Sequence, residues 1–303
     1  MTDAPAPDTF APAGPDRWSV RLERRYPHPI EKVWRAVSEP EHLKVWFPAT
    51  VELEPRVGAE VRFGAPMEGM PELTGVVTDC EPPRLLGFTW DTDHVRFELA
   101  PVGDGTEMVL LHTFDDRAGA ASFGAGWGEC DWGLAAHLAG EPLPEPTKAI
   151  ARHEELVAIF GLDAPAEDTV ADDGTWRIVF ERQMVVPPAE VWDLLLGVDQ
   201  ATGEQRVAPA VGEPFTPWAA PDHVLGTVTE VVPGEVLAYD CSAAEPGATV
   251  RFHFVEGTGH GARLVVTLTG TDPADRDPAR AQWHQGIETT AATAAQHALA
   301  TTP

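Results

Sequence analysis

One stretch of this chain is written twice, 158 residues apart. Trp18, Glu23, Arg24, Pro29, Val33 and Trp34 return without a gap as Trp176, Glu181, Arg182, Pro187, Val191 and Trp192. The apolar alternation Val20, Leu22, Tyr26 returns as Ile178, Phe180, Met184. Later landmarks keep their order while the offset drifts by a few residues. Pro55, Val57 and Gly58 match Pro209, Val211 and Gly212, and Gly75-Val76-Val77-Thr78 matches Gly226-Thr227-Val228-Thr229. Val95-Arg96-Phe97 matches Val250-Arg251-Phe252, Gly105 matches Gly261, and Trp127 matches Trp283. A period near 155 residues is far above the roughly 20–50 of solenoid repeats, so each copy is expected to be a domain with its own core.

Each copy has the same expected order: a strand, short helical segments, several strands, and a long helix last. Apolar residues at every second position from Trp18 to Tyr26 predict a strand. Ile30, Val33, Trp34 and Val37 fall on one side of a helix that Pro40 interrupts, and a second short helix follows over 41–47. Strands are expected near 51–54, 59–65, 73–80, 84–91, 93–100 and 106–114, with Glu81-Pro82-Pro83 and Pro101-Val102-Gly103-Asp104-Gly105 as turns. Trp132, Leu134, Ala135 and Leu138 carry a helix over 122–139 that Gly140 ends. A further helix over 146–160 completes a first domain of residues 17–160. Residues 1–16 are predicted to be a flexible tail, 162–174 a linker, and 175–303 the second domain with its last helix over 279–300. The second copy is 7 residues shorter between Trp192 and Gly226 than the first between Trp34 and Gly75. The missing material falls around the second short helix.

The chain has 48 acidic residues against 21 Lys and Arg, a formal charge of −27. By position, 27 acids and 14 bases precede Gly161, so both halves are acidic. This excludes electrostatic binding to nucleic acid or an anionic membrane surface. Cys80, Cys130 and Cys241 have neither CxxC nor metal-ligand spacing, so no disulfide framework and no metal are expected. With no basic-then-apolar start and no apolar run of membrane length, the expected location is the cytoplasm.

The segment Arg24-Arg25-Tyr26-Pro27-His28-Pro29-Ile30-Glu31-Lys32-Val33-Trp34, followed by Ser38-Glu39-Pro40-Glu41-His42-Leu43 and Trp46-Phe47, resembles the opening signature of the family of activator of Hsp90 ATPase homologue 1-like proteins. That family lies in the START/Bet v 1-like (SRPBCC) superfamily. Val57-Gly58 and Gly126-Trp127 through Leu138-Ala139-Gly140 look like its later hallmarks. The resemblance is good over 17–140, fair over 175–196, and otherwise rests on the repeat. It implies an α+β chain of two tandem helix-grip domains, each an antiparallel curved sheet around a long C-terminal helix with a cavity between them. It implies no cofactor. The second copy lacks a counterpart of Trp46-Phe47, so the larger cavity is expected in the first domain, with the second mainly structural.

Arg24 shares the apolar face of its strand with Leu22 and Tyr26. A guanidinium there must be paired or reach water. It is either the polar anchor of a pocket or one half of an ion pair with a buried acid such as Glu129. Trp46, Phe47, Phe63, Trp90 and Trp127 are either pocket walls or core. Trp218, Tyr239 and Trp283 stand in the same relation to the second copy. Together with Arg24, those five rings form the candidate ligand pocket. His94 is expected on the surface. His112 is an inward acid or base, or simply a buried residue. No Ser-His-Asp order, phosphate loop, dinucleotide fingerprint or zincin motif occurs, so no catalytic residue is named.

The leading expectation is a noncatalytic protein that binds a small hydrophobic or amphipathic ligand, or acts in regulatory or stress-associated contacts with a protein partner. An aromatase/cyclase of polyketide type and a co-chaperone interaction module are the alternatives, and the same fold can serve all three.

Overall fold

The computed structural model describes residues 7–64, 73–145, 149–198, 202–217, 220, 222–259 and 261–301. The chain divides into two compact units, Met1–Ala149 and Ile150–Pro303.

In the first unit, the alternation read between Trp18 and Tyr26 builds strand β2 (Arg17–Tyr26), which buries Val20, Leu22 and Tyr26. Its partner β1 (Thr9–Gly14) pairs antiparallel with it. Pro29 leads into helix α1 (Ile30–Ser38), and Pro40 opens helix α2 (Pro40–Trp46). Proline suits a helix start because its fixed φ is already helical and its missing N–H would have had no partner. The remaining strands are β3 (Val51–Leu53), β4 (Glu60–Phe63), β5 (Leu73–Glu81), β6 (Leu85–Trp90), β7 (Asp93–Val102) and β8 (Gly105–Phe114). They form one antiparallel sheet of order β1-β2-β8-β7-β6-β5-β4-β3. Helix α3 (Ala120–Ala139) follows and ends at Gly140, whose φ of 72° is left-handed. It turns Trp127, Leu134 and Leu138 to the core, while Trp132, expected on that face, is 52% exposed.

The second unit begins with helix α4 (Ile150–Phe160) and strands β9 (Glu167–Val170) and β10 (Trp176–Gln183). Then come helix α5 (Pro188–Leu196), strands β11 (Pro214–Phe215), β12 (Gly226–Val232), β13 (Val236–Cys241), β14 (Thr249–Glu256) and β15 (Ala262–Gly270), and helix α6 (Pro273–Thr301). The sheet order is β11-β12-β13-β14-β15-β10-β9. Ile178, Phe180, Phe252, Leu264, Val266 and Ile287 are among its buried core. Both units are therefore α+β, each an antiparallel sheet followed by a long helix.

Three sequence boundaries are corrected. The stretch 1–16, predicted as a tail, contributes β1 over its described part, and 162–174, predicted as a linker, contributes β9. Thr9 pairs with Arg21 and Phe10 with Val20, just as Glu167 pairs with Val179 and Asp168 with Ile178. The register is the same at the same offset of 158, so the repeat includes an edge strand whose sequence has diverged beyond reading. The helix predicted to end the first domain at 160 belongs instead to the second unit. Leu156 and Val157 are buried, Glu154 pairs with Arg182, and the helix packs on α6.

Two repeated glycines have the same cause in both copies. A Cβ on Gly75 would lie 1.8 Å from the Thr89 carbonyl oxygen, and one on Gly226 would lie 2.1 Å from that of Asp240. Only hydrogen fits where these strands cross so closely.

Candidate functional site

Strand β8 presents Met108, Leu110, His112 and Phe114 to the interior by simple alternation. His112 is only 3% exposed. The indole Nε1 of Trp127, from α3, donates to its Nδ1 at 3.1 Å. Its Nε2 lies 2.9 Å from Oδ2 of Asp93 at the start of β7. An indole nitrogen can only donate, so Nδ1 is the acceptor. The imidazole proton therefore sits on Nε2 and is given to Asp93. Both ring nitrogens are engaged in a chain that runs carboxylate, imidazole, indole.

Trp127 is also one wall of an aromatic cluster. The Phe47 ring lies 5.3 Å from Trp90, 5.6 Å from Trp127 and 5.7 Å from Trp46, measured between centroids. Phe63 stacks on Trp90 at 5.1 Å with 13° between the planes. Phe47 and Phe63 stack at 6.5 Å. The helix α2 places Trp46 by fixing its Nε1 on the Ala36 carbonyl at 2.9 Å. Trp46, Phe47, Phe63 and Trp127 are buried, and Trp90 is half-buried. The five rings named from sequence thus come together.

Arg24 does not join them as a free anchor. Its Nη1 lies 2.8 Å from Asp8 and its Nε 3.1 Å from Asp131 on α3, and Nη1 also donates to the Glu23 carbonyl at 3.0 Å. Tyr26 donates its hydroxyl to the other oxygen of Asp131 at 2.5 Å. Burial alone would lower the Arg24 pKa, but the bonds and charges of Asp8 and Asp131 hold it above its ordinary value. Burial wins at Asp131, whose carboxyl stays above its usual range in spite of Tyr26 and Arg24. The expected acid, Glu129, instead accepts from the Ala149 backbone N–H at 3.1 Å. Arg24 is an ion-pairing residue between sheet and helix, the second of the two roles open to it from sequence.

A cavity bordered by Leu22, Arg24, Trp46, Trp127 and Leu134 lies between sheet and helix and measures about 10 Å³, room for one water at most. An open groove of about 1210 Å³ lies on the surface of this unit. It runs past Tyr26, Val102, Trp132, Ala136 and Pro142, with Arg24 at its edge.

The sequence undervalued His112, although its alternation with Leu110 and Phe114 marked it as inward. Asp93 gave no signal, because the first residue of a strand has no side fixed by periodicity. In the second unit, Leu268 replaces His112 and Trp283 packs on Phe252 at 5.2 Å, so the polar chain belongs to the first copy alone. Tyr239 is fully buried there, and Trp218 lies outside the described residues. His94, expected on the surface, is half-buried and pairs with Thr78 at 2.8 Å. Among the described residues, no group of His, Cys, Asp and Glu could hold a metal ion. Likewise, no described helix is long and apolar enough to cross a membrane.

The chain is similar to the solved structure of CalU16 from Micromonospora echinospora, with 27% identity over 52% of this chain and 98% of that one and a TM-score of 0.42. A conserved protein of unknown function from Enterococcus faecalis shares 24% over 50% of this chain and 91% of its own, with a TM-score of 0.42. A Mesorhizobium loti protein shares 28% over 41% and 99%, at 0.37. No curated protein matches the chain significantly. The profile described as Activator of Hsp90 ATPase homolog 1-like protein matches residues 27–139, from the turn after β2 to the end of α3. Over residues 27–139 the first domain is thus similar to the family of Activator of Hsp90 ATPase homolog 1-like proteins.

Proposed function

We propose that the first domain is a noncatalytic binding domain for a small, planar, apolar molecule taken up against Trp90. The observation that carries this reading is the stack of Phe63 on Trp90, backed by Phe47 and Trp127, with Trp90 half-buried. A flat ring that is fixed from behind and partly open in front offers stacking at little entropic cost.

Noncatalysis is favoured by the state of the polar groups. Both nitrogens of His112 are in use, and two carboxylates hold Arg24. A cyclase would need a proton acceptor or a positive group free to meet an enolate. The protein-contact reading, which the family description carries, would use the open groove beside exposed Trp132 instead.

Titrating the full chain with 1-naphthol and following tryptophan quenching separates these readings. Saturable quenching that Trp90→Ala weakens about tenfold, and Trp132→Ala leaves alone, supports the ring site. Tenfold is about 1.4 kcal/mol, within reach of one lost ring pair and its buried area. Quenching that does not saturate, together with no small molecule in native mass spectra of the purified chain, removes ligand binding and leaves the protein-contact reading ahead.

A further inference from the structure

The second unit has its own cleft, and it opens where the sequence was cut. In the first unit the chain after α1 forms α2 and then Phe47, which fill the space beside α1 with Leu43, Trp46 and Phe47. After α5, the described residues up to β11 form no helix. Val198 bridges to Gln205, and the described stretch 202–213 is a loop. Between that loop, α5 and the turn joining β12 to β13 lies a cleft of about 520 Å³, lined by Trp192, Leu196, Val207, Pro209 and Val231. This volume is ordinary for a small-molecule site, and so is the predominance of apolar walls.

One cation faces this cleft. Arg206 donates to the Thr216 carbonyl at 3.1 Å, to Thr216 Oγ1 at 3.0 Å and to the Leu196 carbonyl at 3.4 Å. All of its bonds end on neutral oxygens, which hold the guanidinium in place without cancelling its charge. Arg24 and Arg182, by contrast, are each gripped by two carboxylates. Asp193, the carboxylate on the lining, makes no ion pair with Arg206 among the described residues. A fixed guanidinium with no ion-pair partner among the described residues, on a cleft whose walls are mostly apolar, is complementary to one kind of small molecule: a carboxylate with an apolar tail.

We propose that this cleft is a second ligand site, independent of the first-domain rings, that binds an amphipathic monocarboxylate, the head on Arg206 and the tail along Trp192, Leu196 and Val231.

The test is calorimetry on the full chain with decanoate and, as a matched neutral probe, decan-1-ol, both below their aggregation limits. Decanoate is expected to bind at least tenfold more tightly than decan-1-ol. Arg206→Ala should bring decanoate down to the level of the alcohol, and Ala208→Trp, which fills the cleft from the loop side, should abolish both. Trp90→Ala should change neither, which keeps this result separate from that of the ring site. Equal affinity for the two probes, no saturable binding of either, decanoate binding unaltered in Arg206→Ala, or its loss in Trp90→Ala overturns the proposal. If Arg206→Ala fails to fold, the head-group comparison on the unaltered chain and the Ala208→Trp variant decide it alone.

Discussion

Arg24 and Arg182 occupy the same place in two copies of one fold, and each ties its first long strand to the last helix, through Asp131 on α3 and Glu288 on α6. The copies solve the burial problem in opposite ways. In the first, the acids lie deepest: the side chains of Asp8 and Asp131 are 2% and 15% exposed against 17% for Arg24. In the second, the arginine lies deepest, with 3% of its side chain exposed against 25% for Glu154 and 30% for Glu288. The third partner also differs in origin, Asp8 from before β1 and Glu154 from α4. Both copies hold an arginine on the strand and an acid on the last helix, and differ in which side is deeper and where the second acid comes from. This fits a structural role, since a ligand anchor would have to keep its cation open.

The largest expected effect comes from removing the shallower side of each cluster. Glu154→Gln with Glu288→Gln strands a buried guanidinium, and Arg24→Met strands two buried carboxylates. Each should cost its domain about 3–5 kcal/mol, because the remaining charge keeps its desolvation penalty and loses its partner. The two losses differ in their response to acid. With Arg24 gone, Asp131, which burial already holds above its usual range, loses a cation that opposed that rise, so the folded state binds more protons than the unfolded one and stability returns as pH falls from 7 toward 5. No such rescue is open to Arg182. Urea unfolding of both variants at the two pH values checks this. An Arg24→Met variant that weakens further in acid breaks the comparison.

A smaller asymmetry comes from α4, which only the second unit has. His153 is 4% exposed, and burial, helped by the charge of Arg182, pushes its pKa down to about 4. In the unfolded chain a histidine titrates near ~6.5. Between these values the unfolded state takes a proton that the folded state refuses, so the stability of the second unit falls as pH falls through that window. From pH 7 to 5 the loss is about 2 kcal/mol. His153→Leu should flatten the slope of unfolding free energy against pH over that range. An unchanged slope would mean that His153 titrates alike in the folded and unfolded chain, and α4 would lose its part in the contrast.

How much of this was legible depends on whether a residue's role has a period. Val20, Leu22 and Tyr26 alternate, Gly140 follows the last helical apolar residue, and Trp46, Phe47, Phe63, Trp90 and Trp127 fall on elements that meet. Those parts of the fold and of the candidate site could be read. The edge strands β1 and β9 could not. An edge strand is paired on one side and exposed, so its side chains carry little pattern: β1 is exposed at every position but Phe10. The partners of Arg24 were beyond reading for a different reason. Asp8 and Asp131 are single acids in an acidic chain, and only the folded backbone selects them from the other 46 of its 48 Asp and Glu residues. Arg206 lies on a loop, where no period operates at all.

The smallest expected effect tests the part of the comparison in which the copies should agree. Gly58 and Gly212 have φ values of 82° and 91°, and a Cβ on either meets nothing within 4 Å. Each backbone N–H donates at 2.8 Å across the sheet, Gly58 to the Val77 carbonyl and Gly212 to that of Val228. Crowding therefore contributes nothing at either position, and the whole cost of adding a methyl is the backbone conformation, which an L side chain rarely adopts. Gly58→Ala and Gly212→Ala should each destabilise their own unit by about 1 kcal/mol, offset only slightly by the stiffer unfolded chain. Because the cause is local and identical, the two losses should match within about 0.5 kcal/mol even though the surrounding loops differ in length. Denaturant midpoints of the two variants, each compared with the unaltered chain, give both numbers. A cost confined to one copy would show that the shared turn is held by its neighbours in that copy alone, and that the repeat is preserved there in shape but not in energetics.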